Sequence, residues 1–235
     1  LFITFFNPLN AEDLILNNES VTMFGDYTYG VVRLTSSTIN VDPYTGYDDG
    51  RGFLRIYADS IIIDQNSAID ADGAARSYDN SIPGSYNGAG YGGQGGGSGS
   101  PTGGSTYGEN IVLDMGSRGG GDQATEVSCS GGGAILLDAN YIQIDGEISA
   151  NGNNGSSGSA SGCSTPSDIG NGGGSGGHII LFGNSVQITG TIAANGGQGG
   201  SGSVVNCSSN PSANGGGGGG GGGVYISSSS IENNG

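Results

Sequence analysis

Apolar residues in this chain fall in short bursts at alternate positions. The clearest run is Gly177–Gly196, with Ile179, Leu181, Val186, Ile188, Ile192 and Ala194. Spacing of two within each pair is strand spacing. The intervening Phe182, Gly183, Asn184 and Ser185 have turn composition. The same pattern stands 44 residues earlier as Ile135, Leu137, Ile142, Ile144, Ile148 and Ala150. Leu54, Ile56, Ile61, Ile63, Ile69 and Ala71 repeat it, with two extra residues before Ile69. Val32, Leu34, Ile39 and Val41 fit its first two strands, as do Leu14, Leu16, Val21 and Met23. Val224, Ile226 and Ile231 begin a further copy. In each of the six copies, the first strand leads the second by seven residues.

A unit this small cannot bury its apolar face alone, so copies must stack. The pattern predicts an all-β fold, a parallel β-helix (solenoid) of about six rungs spaced about 4.8 Å apart. Residues 1–12 form an N-terminal apolar strand, either a donor to a neighbouring copy or a cap on the chain's own first rung, and 13–235 a single domain with glycine-rich insertions at 74–131, 153–177 and 197–223. On the second strand, Thr22, Asn40, Gln143, Gln187 and Glu232 point outward, with Ile62 the exception, so that face is wet. On the first, the outward Ile15, Leu136, Ile180 and Tyr225 need a cover, either the glycine arms or another subunit.

Composition changes the picture at the insertions. Glycine supplies 53 of 235 residues. Two insertions leave through Gly/Ser/Asn, reach a tip with Cys and Pro, and return through glycine. Such arms can pack as extended polyproline-II strands, where glycine permits close backbone contact; the competing reading is a flexible linker. Asp72, Asn151 and Asn195 share one register and form an expected turn ladder.

Net charge is −16, with five arginines and no lysine. That argues against nucleic acid and anionic membrane as partners, since little here neutralises phosphates. No stretch reaches the ~18 apolar residues of a spanning helix. Leu1–Phe6, LFITFF, is the one strongly apolar run.

The φ-x-φ-x4-φ-x-φ rungs, Ala-Asn-Gly and the Gly/Ser arms resemble those of extracellular glycine-rich parallel β-helix proteins, including surface adhesins and fibre proteins with polyproline-II sandwiches. The resemblance implies an extracellular, cell-surface location and an architecture that hosts lyases, adhesins and fibres alike.

Candidate chemistry is sparse. Cys163 and Cys207 occupy matching tips and are the favoured disulfide, with Cys129–Cys163 second. Sequons at Asn18, Asn154 and Asn206 are candidate glycosylation sites. His178, the sole histidine, is expected as a solvent-facing structural residue, so no catalytic residue, cofactor or metal is assigned. Asp48 and Asp49 with Arg51 and Arg55 form the best acid–base cluster, and a weak one. The expected role is a structural subunit of an extracellular filament, a homopolymer in which Leu1, Phe2, Ile3, Phe5 and Phe6 pair with a neighbouring copy. The alternatives are a glycan-binding surface adhesin and, third, a polysaccharide lyase.

Overall fold

A computed structural model of the chain describes residues 11–47, 49–76, 86–98, 103–108, 112–121, 129–163, 167–206 and 212–233. The N-terminal run LFITFF therefore lies outside the described residues, as do Asp48 and Cys207.

Every regular element among the described residues is a strand. One parallel sheet holds six: β1 (Leu14–Asn17), β3 (Gly25–Thr35), β5 (Phe53–Ile63), β7 (Ala134–Ile144), β10 (His178–Ile188) and β13 (Gly223–Asn233), in that order. A second parallel sheet holds five: β2 (Ser20–Met23), β4 (Thr38–Val41), β6 (Ala68–Asp70), β8 (Glu147–Ser149) and β11 (Thr191–Ala193), again in chain order. The chain thus passes from the first sheet to the second and back, adding one strand to each. A short antiparallel pair, β9 (Ser167–Asp168) and β12 (Ser203–Val204), joins the two later arms. The all-β expectation with parallel pairing holds, and no described helix is long and apolar enough to cross a membrane.

The core is a set of columns. Leu14, Val32, Ile61, Ile142, Val186 and Ile231 align across the first sheet, and Val21, Ile39, Ile69, Ile148 and Ile192 across the second. Ile39, Ile61, Ile69, Ile142 and Ile148 are wholly buried. Branched side chains suit pleated surfaces stacked in parallel, and each buried one contributes about 1.5–3 kcal/mol.

Two expectations need correction. The predicted first and second strands of a repeat are one eleven-residue strand in β5, β7, β10 and β13; only the predicted third enters the second sheet. Consequently Val32 and Leu34 align with Ile61 and Ile63, not with Leu54 and Ile56. The physical reason is that a lead of seven arises twice. It separates the two halves of a long strand, Leu54 and Ile61, and also spans a corner between sheets, Val32 and Ile39.

The corners explain the rest of the register. Two residues connect β1 to β2, β3 to β4, β7 to β8 and β10 to β11, but four, Asp64–Ser67, connect β5 to β6. Asn18 (φ 55°) and Ser36 (φ 48°) take the left-handed conformation at successive corners. Gly25 (φ 86°) makes the one-residue return from β2 to β3 possible, a conformation that a Cβ disfavours.

Candidate functional site: the polar corner and the glycine bundle

The glycine arms run through the molecule as extended chains bonded at every third residue. Gly152, Gly155 and Gly158 donate their N–H to the carbonyls of Asn195, Gln198 and Ser201 at 2.8, 2.7 and 2.8 Å. Gly177, Gly174 and Asn171 donate to Ala150, Asn153 and Ser156, in the opposite chain direction. A repeat of three is the period of an extended three-fold helix, not of a strand.

Segment 170–177 lies at the centre. It bonds to 87–89 (Ala89 to Gly173), 117–120 (Gly172 to Gly120), 130–132 (Gly132 to Ser175), 150–156, 197–200 (Gly197 to Gly174) and 214–220 (Gly173 to Gly217), six neighbours in all. Residues 171–177 are all buried. A Cβ on Gly172, Gly173, Gly174 or Gly176 would enter a carbonyl of Asn87, Gly197, Ser130 or Ala194 respectively. Glycine is therefore demanded here by close backbone approach, in the way a triple helix demands it at its axis.

Polar side chains edge this bundle in matching rows. Asp72 accepts from the Asn151 N–H at 2.7 Å and from Asn151 Nδ2 at 3.0 Å. Asn151 Oδ1 in turn accepts from the Asn195 N–H at 2.7 Å, so the three predicted ladder residues are bonded in sequence. Two further rungs went unread in the sequence: Asn154 Oδ1 accepts from Gln198 N–H at 2.7 Å and Ser157 Oγ from Ser201 N–H at 3.3 Å. Their signal was present, a constant 44-residue offset with a step of three. Asp70, whose Oδ1 accepts from Asp72 N–H at 2.8 Å, has its carboxyl pushed above the usual range by burial.

A second polar system stands at the corner between the sheets. Asp145 Oδ1 accepts from Thr189 Oγ1 and Oδ2 from Gln143 Nε2, both at 2.6 Å. The Tyr141 hydroxyl lies 3.0 Å from Gln143 Oε1 and 2.8 Å from Gln187 Oε1 and, having one hydrogen, donates to one of them. Gln187 Nε2 reaches Glu232 Oε2 at 3.4 Å. Beside Asp145 runs an open groove of about 400 Å³, lined by Gln65, Asn66, Ser67 and Ala68, by Asp145, Gly146 and Glu147, and by Gly190 and Thr191.

The outward apolar face of the first sheet is covered at its middle by the long insertion. Met115 and Ala75 are buried against Ala134, with Phe53, Tyr44 and Leu113 around them. At Ala134 the cover is thus Leu113 and Met115 of that insertion, with Ala75 beside them. His178 is corrected from solvent-facing to buried: Nδ1 lies 3.1 Å from the Val112 carbonyl, and the Tyr91 ring stands edge-on at 6.0 Å. Burial lowers its pKa, against weaker opposing effects of the Val112 carbonyl and Asp114.

The remaining predicted residues are scattered. Arg51 Nε pairs with Asp42 at 2.9 Å and its guanidinium with Asp49 at 3.5 Å, while Arg55 turns instead to Asp26 at 3.3 Å. The two arginines of the acid–base cluster therefore have separate partners, Asp42 and Asp49 for Arg51 and Asp26 for Arg55. Asn18, Asn154 and Asn206 are exposed. Cys129 is buried, and Cys207 of the favoured disulfide lies outside the described residues. Among the described residues no group of three His, Cys, Asp or Glu could hold a metal ion. Compared with known proteins, the sequence matches no family, no curated protein and no solved structure.

Proposed function

We propose that this chain is a β-solenoid that forms a structural segment of an extracellular filament or surface fibre, its glycine arms folded as polyproline-II helices packed on one side. The observation that carries this reading is the strictly sequential order of both sheets. Each pass adds a strand to each sheet, so the architecture extends by repetition, and among the described residues β1 and β13 pair on one side only. Those ends also carry exposed apolar residues: Ile15 (45 %) on β1, and Val224 (46 %) and Ile231 (50 %) on β13.

In this reading a neighbouring copy supplies the strand that follows β13. Leu1, Phe2, Ile3, Phe5 and Phe6 pair across that junction, and head-to-tail contacts of this kind generate fibres. The role is structural, without catalysis or a cofactor. The acidic surface, with net charge −16, favours neither nucleic acid nor membrane insertion. A Cys163–Cys207 bond fits an oxidising, secreted environment, where Asn18, Asn154 and Asn206 would be open to glycosylation.

Electron microscopy of the purified chain tests the proposal. Filaments should form, and Ile3→Asp with Phe5→Asp should abolish them. Discrete particles from the unaltered chain would overturn it. The second reading, a glycan-binding surface adhesin, is favoured by one observation, the polar groove at the corner between the sheets.

A further inference from the structure

Resting on that second reading, we propose that the corner groove binds a neutral, hydroxyl-rich saccharide chain. The groove exists because one corner is longer than its neighbours. Asp64–Ser67 uses four residues where the next two corners use two each, so Gln65 and Asn66 stand as a wall. The floor beside them is the backbone of Gly146 and Gly190. A Cβ at Gly146 would enter the Ser67 carbonyl, and one at Gly190 the Gly146 carbonyl, so only glycine supplies this floor.

The lining fits sugar hydroxyls and little else. Gln65, Asn66, Glu147 and Thr191 are exposed and together offer amide donors, carboxylate acceptors and a hydroxyl that does both. Asp145 is fixed by Thr189 and Gln143, which holds that rim in place before any ligand arrives. A volume of about 400 Å³ suits one or two sugar units. Asp145 and Glu147 would repel an anionic sugar, and neither lysine nor arginine lines the groove. Ala68 is its sole aliphatic side chain beyond glycine, which leaves an apolar ligand without a surface to cover. For a hard cation, which needs six or more oxygens, both Asp145 oxygens are already engaged.

Isothermal titration calorimetry of the full chain with cellopentaose, maltopentaose and chitopentaose tests this, with trigalacturonate as the anionic comparator. At least one neutral pentamer should bind, and trigalacturonate at least about tenfold more weakly. Deleting Gln65 and Asn66, which restores the two-residue corner, should weaken that binding at least about tenfold. Glu147→Ala, an exposed change that leaves the corner intact, should weaken it about threefold or more. The melting temperature of each variant confirms that it folds. Trigalacturonate binding as tightly as the neutral sugars would overturn the proposal. Binding undiminished in both variants would overturn the groove and leave the adhesin reading standing. Silence towards all three neutral sugars would overturn both, while the filament reading answers separately to microscopy.

Discussion

At the residue scale, this molecule is governed by where a Cβ can and cannot go. Gly174 faces the Ser130 carbonyl so closely that any side chain must displace backbone, whereas a Cβ on Gly218 would meet only the Gly197 carbonyl at 3.7 Å. Gly174→Ala should therefore cost about 3 kcal/mol or more, and Gly218→Ala less than about 1 kcal/mol. Urea unfolding midpoints of the two variants check this, and equal costs would contradict it. Asn151→Ala removes both the donor to Asp72 and the acceptor for Asn195, and should cost about 1–2 kcal/mol in the same assay.

His178 makes the pH dependence. Its folded pKa lies below the ordinary 6.5, so between those two values the unfolded chain binds more protons. Stability is then complete above pH 6.5 and falls as the pH drops towards the folded pKa, by at most about 1.4 kcal/mol per unit. His178→Gln should flatten that decline. Asp70 and Asp138, both raised chiefly by burial, act in the opposite sense. Their ionisation costs stability as the pH rises from 3.8 through their folded values, so the histidine decline is read above that window.

At the element scale, the strands of the two parallel sheets were legible because apolar residues recur at alternate positions, and their parallel stacking because one pattern recurs. What misled was the recurrence of a seven-residue lead in two different structural places, which shifted the first two copies by half a strand relative to the rest. Alternation reports which residues point inward but not where a strand bends or a chain changes sheet. The ladder through Asp72, Asn151 and Asn195 was legible from register alone. The burial of His178 was not, because its cover comes from Tyr91 and Val112, far away in sequence and outside any repeat. The same holds for Met115, whose apolar neighbours look like a stray half-strand but serve as a lid over Ala134. Met115→Ala should cost about 2–4 kcal/mol, measured by thermal unfolding, and a loss below about 0.5 kcal/mol would show that the lid is dispensable.

At the scale of the whole molecule, two kinds of order share one backbone. The sheets bury branched side chains with period two, and the two later arms bury only small polar side chains such as Asn171 and Ser175 and pack backbone on backbone with period three. The second kind gains little from the hydrophobic effect and depends on its hydrogen bonds and close contacts. It makes a continuous body out of sequence that composition alone assigns to linkers, and it leaves regular rows of Asn, Gln and Ser on its edge.

Amide hydrogen exchange across 170–177 tests this most directly. The account predicts that Gly172, Gly173 and Gly174 exchange as slowly as the amides of β7 and β10, because all are closed by the same cooperative unit. Exchange of these glycines at the rate of a free linker, with β7 and β10 still protected, would contradict it.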